Sequence, residues 1–243
     1  MTSLRWLGHA TVLLELGGAR LLTDPLLRPR LAHLTRRTTA PGPVGRVDAV
    51  LISHVHRDHL DMRSLAALPG RPPIVAPAGA GDLLRKGGFE HVIELREGER
   101  TAVSGVTVAA TAALHPARRD PLSPWVPALG FVVESGVRVY FAGDTDLHDS
   151  MRELAPLDVA LLPVWGWGTS LDAGHLGPRT AAEALLLLRP RVAVPIHWGT
   201  FFPIGRGGRL LSDPPHDFAR HAAELAPEVE VRILAPGEIL ELG

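Results

Sequence analysis

The chain contains no cysteine, which excludes disulfide bonds, thiolate catalysis and zinc sites with cysteine ligands. Any bound metal must therefore be held by nitrogen and oxygen atoms. The chain also lacks an excess of one charge, since 25 basic residues against 26 acidic ones leave a net charge of -1. No overall field attracts nucleic acid or an anionic membrane, so neither is expected as a partner.

Long apolar runs are absent as well. No run approaches the roughly 20 residues of a membrane-spanning helix, and the N-terminal segment lacks the basic region and apolar core of a signal peptide. We therefore expect a soluble, cytoplasmic protein. Hydrophobic residues make up 46% of the 243 residues, which is enough for a large core. No boundary or internal repeat divides the chain, so residues 1–243 are expected to form one domain.

Short β-forming runs outnumber helical stretches along the chain. A meander of strands comes first and alternating strands and helices follow, which predicts two mixed sheets packed face to face with helices outside. The expected fold class is therefore α/β, a layered sandwich. Two stretches that contain several arginines and prolines, residues 27–46 and 116–127, interrupt the pattern and are expected to be loops.

The predicted strands are residues 11–16, 19–23, 48–53, 92–95, 105–110, 129–134, 138–142, 158–164, 191–196 and 231–234, and the predicted helices are residues 80–86, 148–154, 178–188 and 216–225. Gly17-Gly18 and Ser135-Gly136 are expected at the tips of two hairpins. In the clearest helix, proline at position 178 suits the first turn, and Thr180 with Glu183 could form a capping box.

The most informative segment is SHVHRDHLD, residues 53–61, which contains the spacing H-x-H-x-D-H. His54 and His56 stand two residues apart, so in an extended segment both imidazoles point to one side and can share a metal ion. Asp58 and His59 follow at once and can present an oxygen and a nitrogen to a second ion, about 3.5–4 Å from the first. A polar loop with chance histidines is the alternative.

Three further polar residues each stand where a predicted strand ends: His115, Asp144 and His197. Strand ends of a layered sheet can converge at one rim, which is where a site with ligands from several strands would form. A single histidine after a strand is more often a structural residue. The set of three together with the loop motif favours a metal site.

These segments together resemble the metallo-β-lactamase superfamily, whose ordered motifs are a strand-end aspartate, H-x-H-x-D-H, and then histidine, aspartate and histidine. The match runs from about Gly8 to Thr200. The resemblance implies a metallo-β-lactamase-like four-layer αβ/βα sandwich with two metal ions. It implies that Asp24, in LLTDP, binds no metal and positions the loop of residues 53–61 that carries the H-x-H-x-D-H motif, the ligand loop. It assigns one ion to His54, His56 and His115, the other to Asp58, His59 and His197, and a bridging position to Asp144.

The segments GHATVLLE, FAGDT, GHLGP and PIHWGTF resemble one branch of this superfamily, which contains ascorbate-6-phosphate lactonases and the N-acyl phosphatidylethanolamine phospholipases D. The lack of cysteine excludes zinc β-lactamases with a cysteine ligand, and His56 stands where diiron flavoprotein relatives have glutamate. The chain has no room for the inserted domain of the nuclease branch. It also lacks the extra N-terminal sequence of the membrane phospholipases, so we expect a hydrolase of a small molecule.

Two close divalent ions, zinc first with manganese or iron as alternatives, would lower the pKa of a bridging water to near 7. The resulting hydroxide would cleave a lactone, a phosphodiester or a related ester. Asp58 could orient this water or accept its proton. His175, in the GHLGP segment, could donate a proton to the leaving group or bind an oxyanion, and a structural role is the alternative.

A histidine, two arginines and several aromatic residues are candidates for substrate contact. His9 follows a glycine in a tight turn and could border the pocket, or serve the turn. Arg118 or Arg119 could clamp a substrate phosphate or carboxylate, although solvated surface positions suit arginines of this chain better. Trp165 and Trp198, together with Trp167 and Phe201, could form an apolar wall, although packing is the more common use of such residues.

Two other functions would use the same ligand residues. A mononuclear iron oxidoreductase is one, because a set of histidines and a carboxylate also suits non-haem iron. The other is a metal-stabilised binding or sensory module without turnover. Metal content and turnover distinguish these alternatives from the hydrolase.

Overall fold

The computed structural model describes residues 2–165, 173–203 and 212–242. Its first sheet has seven strands, which are β1 (Ser3–Gly8), β2 (Thr11–Leu16), β3 (Ala19–Thr23), β6 (Ala49–Leu51), β7 (Ile74–Pro77), β8 (Val92–Leu95) and β17 (Ile239–Glu241). Their order in the sheet is β17-β1-β2-β3-β6-β7-β8. The strands β3, β6, β7 and β8 run parallel to one another, whereas β2 is antiparallel to both of its neighbours.

The second sheet also has seven strands, which are β9 (Arg100–Val103), β10 (Val106–Ala112), β11 (Leu129–Glu134), β12 (Arg138–Phe141), β13 (Leu157–Pro163), β14 (Pro190–Ile196) and β16 (Glu230–Val231). Their order is β16-β14-β13-β12-β11-β10-β9. A third sheet of three short strands consists of β4 (Arg30–Leu31), β5 (Leu34–Arg36) and β15 (Phe201–Pro203). Residues 27–46, expected as a loop, therefore contain two of these short strands.

Successive side chains of each strand alternate in direction, and this alternation divides the core into layers. In β2, Val12 and Leu14 face the second sheet, whereas Leu13 faces the opposite side of its own sheet. In β12, Phe141 faces the first sheet and Tyr140 faces outwards. Successive side chains of a strand point to opposite faces, so each sheet is apolar on both sides and needs helices as well as the other sheet to cover it.

Helices cover both outer faces. The helices α1 (Met62–Ala66) and α2 (Gly81–Lys86) pack on the first sheet, and α3 (Pro178–Leu188) and α4 (Asp213–Leu225) pack on the second. A 3-10 helix, Asp149–Leu154, lies beside α3. The four layers confirm the αβ/βα sandwich of the metallo-β-lactamase type. No helix within the described ranges is long and apolar enough to cross a membrane.

The predicted capping box at α3 is wrong. The backbone N–H of Gly177 donates to Thr180 Oγ1 over 2.9 Å, so Thr180 is the third residue of the helix and Gly177 is the residue that flanks it. Glu183 instead accepts a hydrogen bond from Arg179. The physical reason is Pro178, which has no N–H and starts the helix two residues before the expected cap.

The two predicted hairpin tips differ in length. Leu16 pairs with Ala19, so Gly17-Gly18 forms the predicted two-residue turn, with positive φ at both positions. The second hairpin has three residues between its paired ends, because Glu134 pairs with Arg138. Its tip is therefore one residue longer than the predicted Ser135-Gly136.

Strand direction brings the loops of interest to one rim. Strands β1, β3 and β6 run the same way, and so do β10, β12 and β14, so the segments after each set leave from one edge of its sheet. The backbone N–H of His197, after β14, donates to the carbonyl of His9, after β1, over 2.9 Å. The two edges therefore meet, and the candidate ligands lie along this common rim.

Candidate active site

Three ring nitrogens converge on one side of the rim. His54 Nε2 lies 3.1 Å from His56 Nδ1, and His115 Nε2 lies 3.0 Å from the same atom. The outer nitrogen of His115 donates to the carbonyl of Gly174 over 2.8 Å, and that of His54 lies 2.9 Å from Ser53 Oγ. A carbonyl can only accept, so it places the proton on Nδ1 and leaves the inner nitrogen of His115 free to bind a metal.

A second group lies beside the first. His59 Nε2 is 3.2 Å from His197 Nε2, and Asp58 Oδ2 lies 3.6 Å and 3.7 Å from these two nitrogens. The outer nitrogen of His59 bonds to Asp24, and that of His197 donates to the carbonyl of Trp165 over 2.8 Å. Both inner nitrogens can therefore act as metal ligands, as in the first group.

Asp144 lies between the two groups. Its Oδ2 is 3.1 Å from His59 Nε2 and 3.4 Å from His197 Nε2, and it is 4.0 Å from His54 Nε2. Its Oδ1 is buried and has no hydrogen-bond partner among the residues that the structure describes. A buried carboxylate oxygen without a partner is unfavourable, and a cation would satisfy it. The donor set of histidine nitrogens and carboxylate oxygens therefore fits divalent cations.

The charge states also suit cations. Burial lowers the pKa of His54 well below its usual value and that of His115 to about 4, so both rings are neutral near pH 7. Burial alone would raise the pKa of Asp58 and Asp144, but neighbouring histidines outweigh it and hold both pKa values well below the usual range. Burial lowers the pKa of His59, yet the nearby carboxylates outweigh it and raise that pKa. Asp58 and Asp144 thus stay ionised, and their charge, which raises the pKa of His59 and His197, is the charge that a bound cation would balance.

Asp24 holds the ligand loop through hydrogen bonds. Its Oδ1 accepts a hydrogen bond from the backbone N–H of Ser53 over 2.7 Å, and its Oδ2 accepts from Ser53 Oγ and from His59 Nδ1. Both oxygens are therefore used within the loop. This geometry supports the expected role of Asp24 in positioning ligands, and a carboxylate with both oxygens engaged is poorly placed to bind metal as well.

His9 lies deeper in the site than a residue that borders a pocket. It is 2% exposed, has a φ of 54°, and its Nε2 lies 3.2 Å from Asp58 Oδ2. Its ring stands 4.0 Å from the ring of His197, and burial and the charge of His197 lower its pKa to about 3. A neutral His9 can donate Nε2–H to Asp58, so the structure favours orientation of that carboxylate over contact with substrate.

His175 lies at the more open side of the site. Its Nε2 is 3.6 Å from Asp144 Oδ2, and its ring stands 4.7 Å from the ring of His115. The side chain is 19% exposed, close to the 15% of Asp58, whereas His54, His59 and His197 are buried. This position is compatible with proton transfer to a leaving group at the mouth of the site.

The two arginines make contacts within the protein. The Arg118 guanidinium lies 4.8 Å from the centre of the Trp125 ring, and both residues are exposed. The guanidinium Nη1 of Arg119 donates to the carbonyl oxygens of Val55 and Leu60, over 3.1 Å and 2.6 Å. Arg119 thus fastens the ligand loop to the segment after His115. A substrate clamp by either arginine stays a prediction.

The tryptophans near the site are packed. Trp165 is 6% exposed and stacks on Phe202, with ring centres 5.7 Å apart. Trp198 stacks on Trp6 at 4.9 Å and packs against the inter-sheet core. Trp167 lies outside the described residues. Packing therefore accounts for the observed contacts of Trp165 and Trp198, and an additional substrate contact stays a prediction.

Sequence patterns missed several supports of the site. Gly174 and Trp165 contribute through their carbonyl oxygens, and backbone groups carry no residue signature. Ser53 immediately precedes the motif, and its hydroxyl joins His54 to Asp24. A serine flanking a ligand histidine is the one signal that could have indicated such a support from sequence.

A four-layer sandwich with a histidine and aspartate cluster at its rim defines the class of metal-dependent hydrolases with the metallo-β-lactamase fold. A family model described as "Beta-lactamase superfamily domain" matches residues 19–198. A UPF0173 metal-dependent hydrolase of Rubrobacter xylanophilus is 35% identical over 254 residues, covering 100% of this chain and 96% of the relative. Another, from Methanopyrus kandleri, is 36% identical over 253 residues, covering 97% and 98%. The chain belongs to the β-lactamase superfamily and, within it, to the UPF0173 metal-dependent hydrolases.

Solved structures share the architecture. Igni18, a metallo hydrolase from the archaeon Ignicoccus hospitalis, has a TM-score of 0.75 and 25% identity, covering 98% of this chain and 97% of that one. An isothiocyanate hydrolase from Delia radicum gut bacteria has a TM-score of 0.75 at 22% identity, with 99% of both chains covered. The second likeness concerns the fold alone.

Proposed function

We propose that the protein is a dinuclear hydrolase that uses zinc or manganese to cleave a lactone, a phosphodiester or a related ester of a small molecule. Within the superfamily, the proposed branch is the one that contains the ascorbate-6-phosphate lactonases and the N-acyl phosphatidylethanolamine phospholipases D. The observation that carries the proposal is the position of Asp144, whose Oδ2 lies between two groups of nitrogen and oxygen donors while its buried Oδ1 has no partner among the described residues.

The residues divide into two ligand sets with one shared member. The first ion would be held by His54, His56 and His115, the second by Asp58, His59 and His197, and both by Asp144. Two divalent ions supply Lewis acidity and a nucleophilic water with a pKa near 7 when bound in such a site. Every other role in the proposal belongs to side chains of this chain.

Asp58 is placed to orient the attacking water. Its carboxylate is ionised, since its pKa lies well below the usual range, and its Oδ2 is held by His9 over 3.2 Å. A carboxylate held in this way accepts a hydrogen bond from water without changing its own direction. His175, which is partly exposed beside Asp144, is placed to donate a proton to the departing oxygen.

Steady-state hydrolysis tests the proposal. Zinc- and manganese-loaded protein would be given a lactone, a phosphodiester and a thioester side by side. We expect turnover of the lactone or the phosphodiester, and a loss of at least about 100-fold in kcat for Asp58→Asn. Asp82→Asn is the matched control, because that carboxylate is 88% exposed and lies far along the chain from the ligands.

Metal analysis of the protein as purified and an oxygen-consumption assay, run beside the hydrolysis, separate the alternatives. Two metals per chain with no turnover of any ester would contradict the hydrolase and favour a binding module. One iron per chain with consumption of oxygen would favour a mononuclear oxidoreductase. Turnover of the thioester alone would keep the hydrolase but contradict the proposed substrate class.

A further inference from the structure

A cavity of about 620 Å³ lies beside the candidate metal site, and the proposed mechanism does not use it. Its lining includes residues at the ends of β7, β8 and β10 and at the start of β11, on the same rim as the metal ligands. His115, a candidate ligand of the first ion, forms part of its wall. The cavity and the candidate metal site therefore share His115 as a wall residue.

The cavity exists because the inter-sheet core ends in small residues. Val108 and Ala110 of β10 face the first sheet, so the alternation directs Ala112 the same way. Ala112 is paired with Leu129, and both line the cavity together with Leu95. Leu95 and Leu129 are 5% and 2% exposed and belong to the core. The base of the cavity is therefore apolar, where a larger residue than alanine would have filled the space.

The mouth of the cavity carries an apolar side chain that the fold leaves in solvent. Leu114 lines the cavity and is 53% exposed, although it directly precedes a buried candidate ligand. Its N–H donates to Thr145 Oγ1 over 2.9 Å, and its carbonyl accepts from the N–H of Asp146 over 3.0 Å. Backbone contacts hold Leu114 in this position, so its exposure does not result from a loose chain.

The charged lining residues lie at the solvent side. Arg96 and Glu97 are both exposed, and the backbone N–H of Arg96 donates to the side chain of Glu99 over 2.7 Å. The volume lies within the roughly 300–1,000 Å³ that is common for small-molecule sites. The apolar base and the apolar Leu114 at the mouth suit a ligand whose hydrocarbon part enters the cavity, and His115 in the wall leaves the polar part of that ligand beside the metal ligands.

We propose that this cavity binds the apolar part of the substrate, an aliphatic or aromatic group attached to the ester that is cleaved. The inference rests on the proposed hydrolase function and narrows its substrate class. Substrates with a longer hydrocarbon group are then preferred over short ones, because each added methylene leaves water on binding. The preference ends when the cavity is full.

A chain-length series tests the proposal on the metal-loaded protein. The substrates are p-nitrophenyl acetate, butyrate, hexanoate and octanoate. We expect kcat/KM to rise by about fourfold per methylene, which corresponds to about 0.8 kcal/mol. Ala112→Phe fills the cavity, so the octanoate-to-acetate ratio should fall at least tenfold. Ala102→Phe is the control, because Ala102 is an exposed residue of the edge strand β9, and it should keep the full ratio.

A binding experiment separates this inference from the hydrolase function. Calorimetry would compare octanoate with acetate as ligands of the wild type and of Ala112→Phe, with metal content measured on each sample. We expect at least tenfold tighter binding of octanoate to the wild type only, whether or not esters are turned over. Turnover with no dependence on chain length, or equal Kd values for the two acids, would overturn the cavity proposal.

A second variant covers failure of Ala112→Phe to fold. Leu114→Ser changes an exposed side chain at the mouth, and it should reduce the octanoate preference without loss of the fold. An unchanged octanoate preference in this variant would contradict the role of the mouth in substrate binding.

Discussion

Asp24 and His59 are joined by a hydrogen bond of 2.7 Å between Oδ2 and Nδ1, and both side chains are completely buried. The same carboxylate binds the backbone N–H and the hydroxyl of Ser53, and that hydroxyl lies 2.9 Å from the ring of His54. One carboxylate therefore supports a ligand histidine of each group. It therefore links the two groups of candidate ligands through hydrogen bonds.

Replacement of Asp24 should weaken metal binding at both positions. Asp24→Asn exchanges an acceptor oxygen for an amide donor, so at least one of its three donors loses a partner. We expect metal affinity to fall by about 10- to 100-fold, measured by competition with a chelator of known affinity. Asp82→Asn serves as control. Equal affinity in Asp24→Asn and wild type would show that the hydrogen bonds do not orient the ligands.

Loss of Asp144 should change metal content. Asp144→Ala removes the oxygen that lies between the two groups, so we expect elemental analysis to show fewer than two ions per chain, with loss of turnover. Asp149→Ala, which changes an exposed carboxylate five residues along, should keep the full content. Two tightly bound ions in Asp144→Ala would exclude a shared ligand at this position.

His9 should act through Asp58. His9→Leu removes the Nε2–H that faces Asp58 Oδ2, and we expect kcat to fall by about 10- to 100-fold. His9→Gln can place an amide N–H near the same point, so it should recover part of the loss. Both variants share the strain of a positive φ, which makes them a matched pair. Equal kcat in the two variants would argue against orientation by a hydrogen bond.

Removal of metal should lower thermal stability. Without cations, only the neighbouring histidines balance the charges of the Asp58 and Asp144 carboxylates. Each ion at 100 times its Kd would add about 2.7 kcal/mol, so two ions would add about 5.4 kcal/mol, which corresponds to a Tm change of about 10–20 °C for a chain of this size. Thermal scans of the protein with a chelator, and again after zinc is restored, measure this change in Tm. A Tm that is the same in both states would contradict a metal site that is part of the folded core.

Two adjacent leucines in α3 provide a test of packing. Leu185 is fully buried against the second sheet, so Leu185→Ala should cost about 2–5 kcal/mol in the free energy of unfolding. Leu186 is 45% exposed, and Leu186→Ala should change stability by less than about 0.5 kcal/mol. Denaturant unfolding distinguishes the two. Similar costs would mean that α3 does not pack as described.

Much of the fold could be predicted from local patterns. The strands Thr11–Leu16 and Ala19–Thr23 were predicted to the residue, and so was the helix Pro178–Leu188. Their signals are local, because alternation and a glycine pair define a hairpin, and a proline marks the first helical turn. Ser3–Gly8 and Ile74–Pro77 were missed as strands, since each becomes a strand through pairing with distant residues.

The sequence by itself determined which side chains the candidate site at the rim offers as ligands. The spacing H-x-H-x-D-H is local, and the other three candidate ligands each end a strand, so residue types and order sufficed to predict a nitrogen and oxygen site on a layered sandwich. Only the tertiary structure decided the carbonyls that orient His115 and His197, the contact of His9 with Asp58, and the cavity beside the ligands. These depend on backbone atoms and on contacts between residues far apart in the chain, where no spacing pattern records which groups meet.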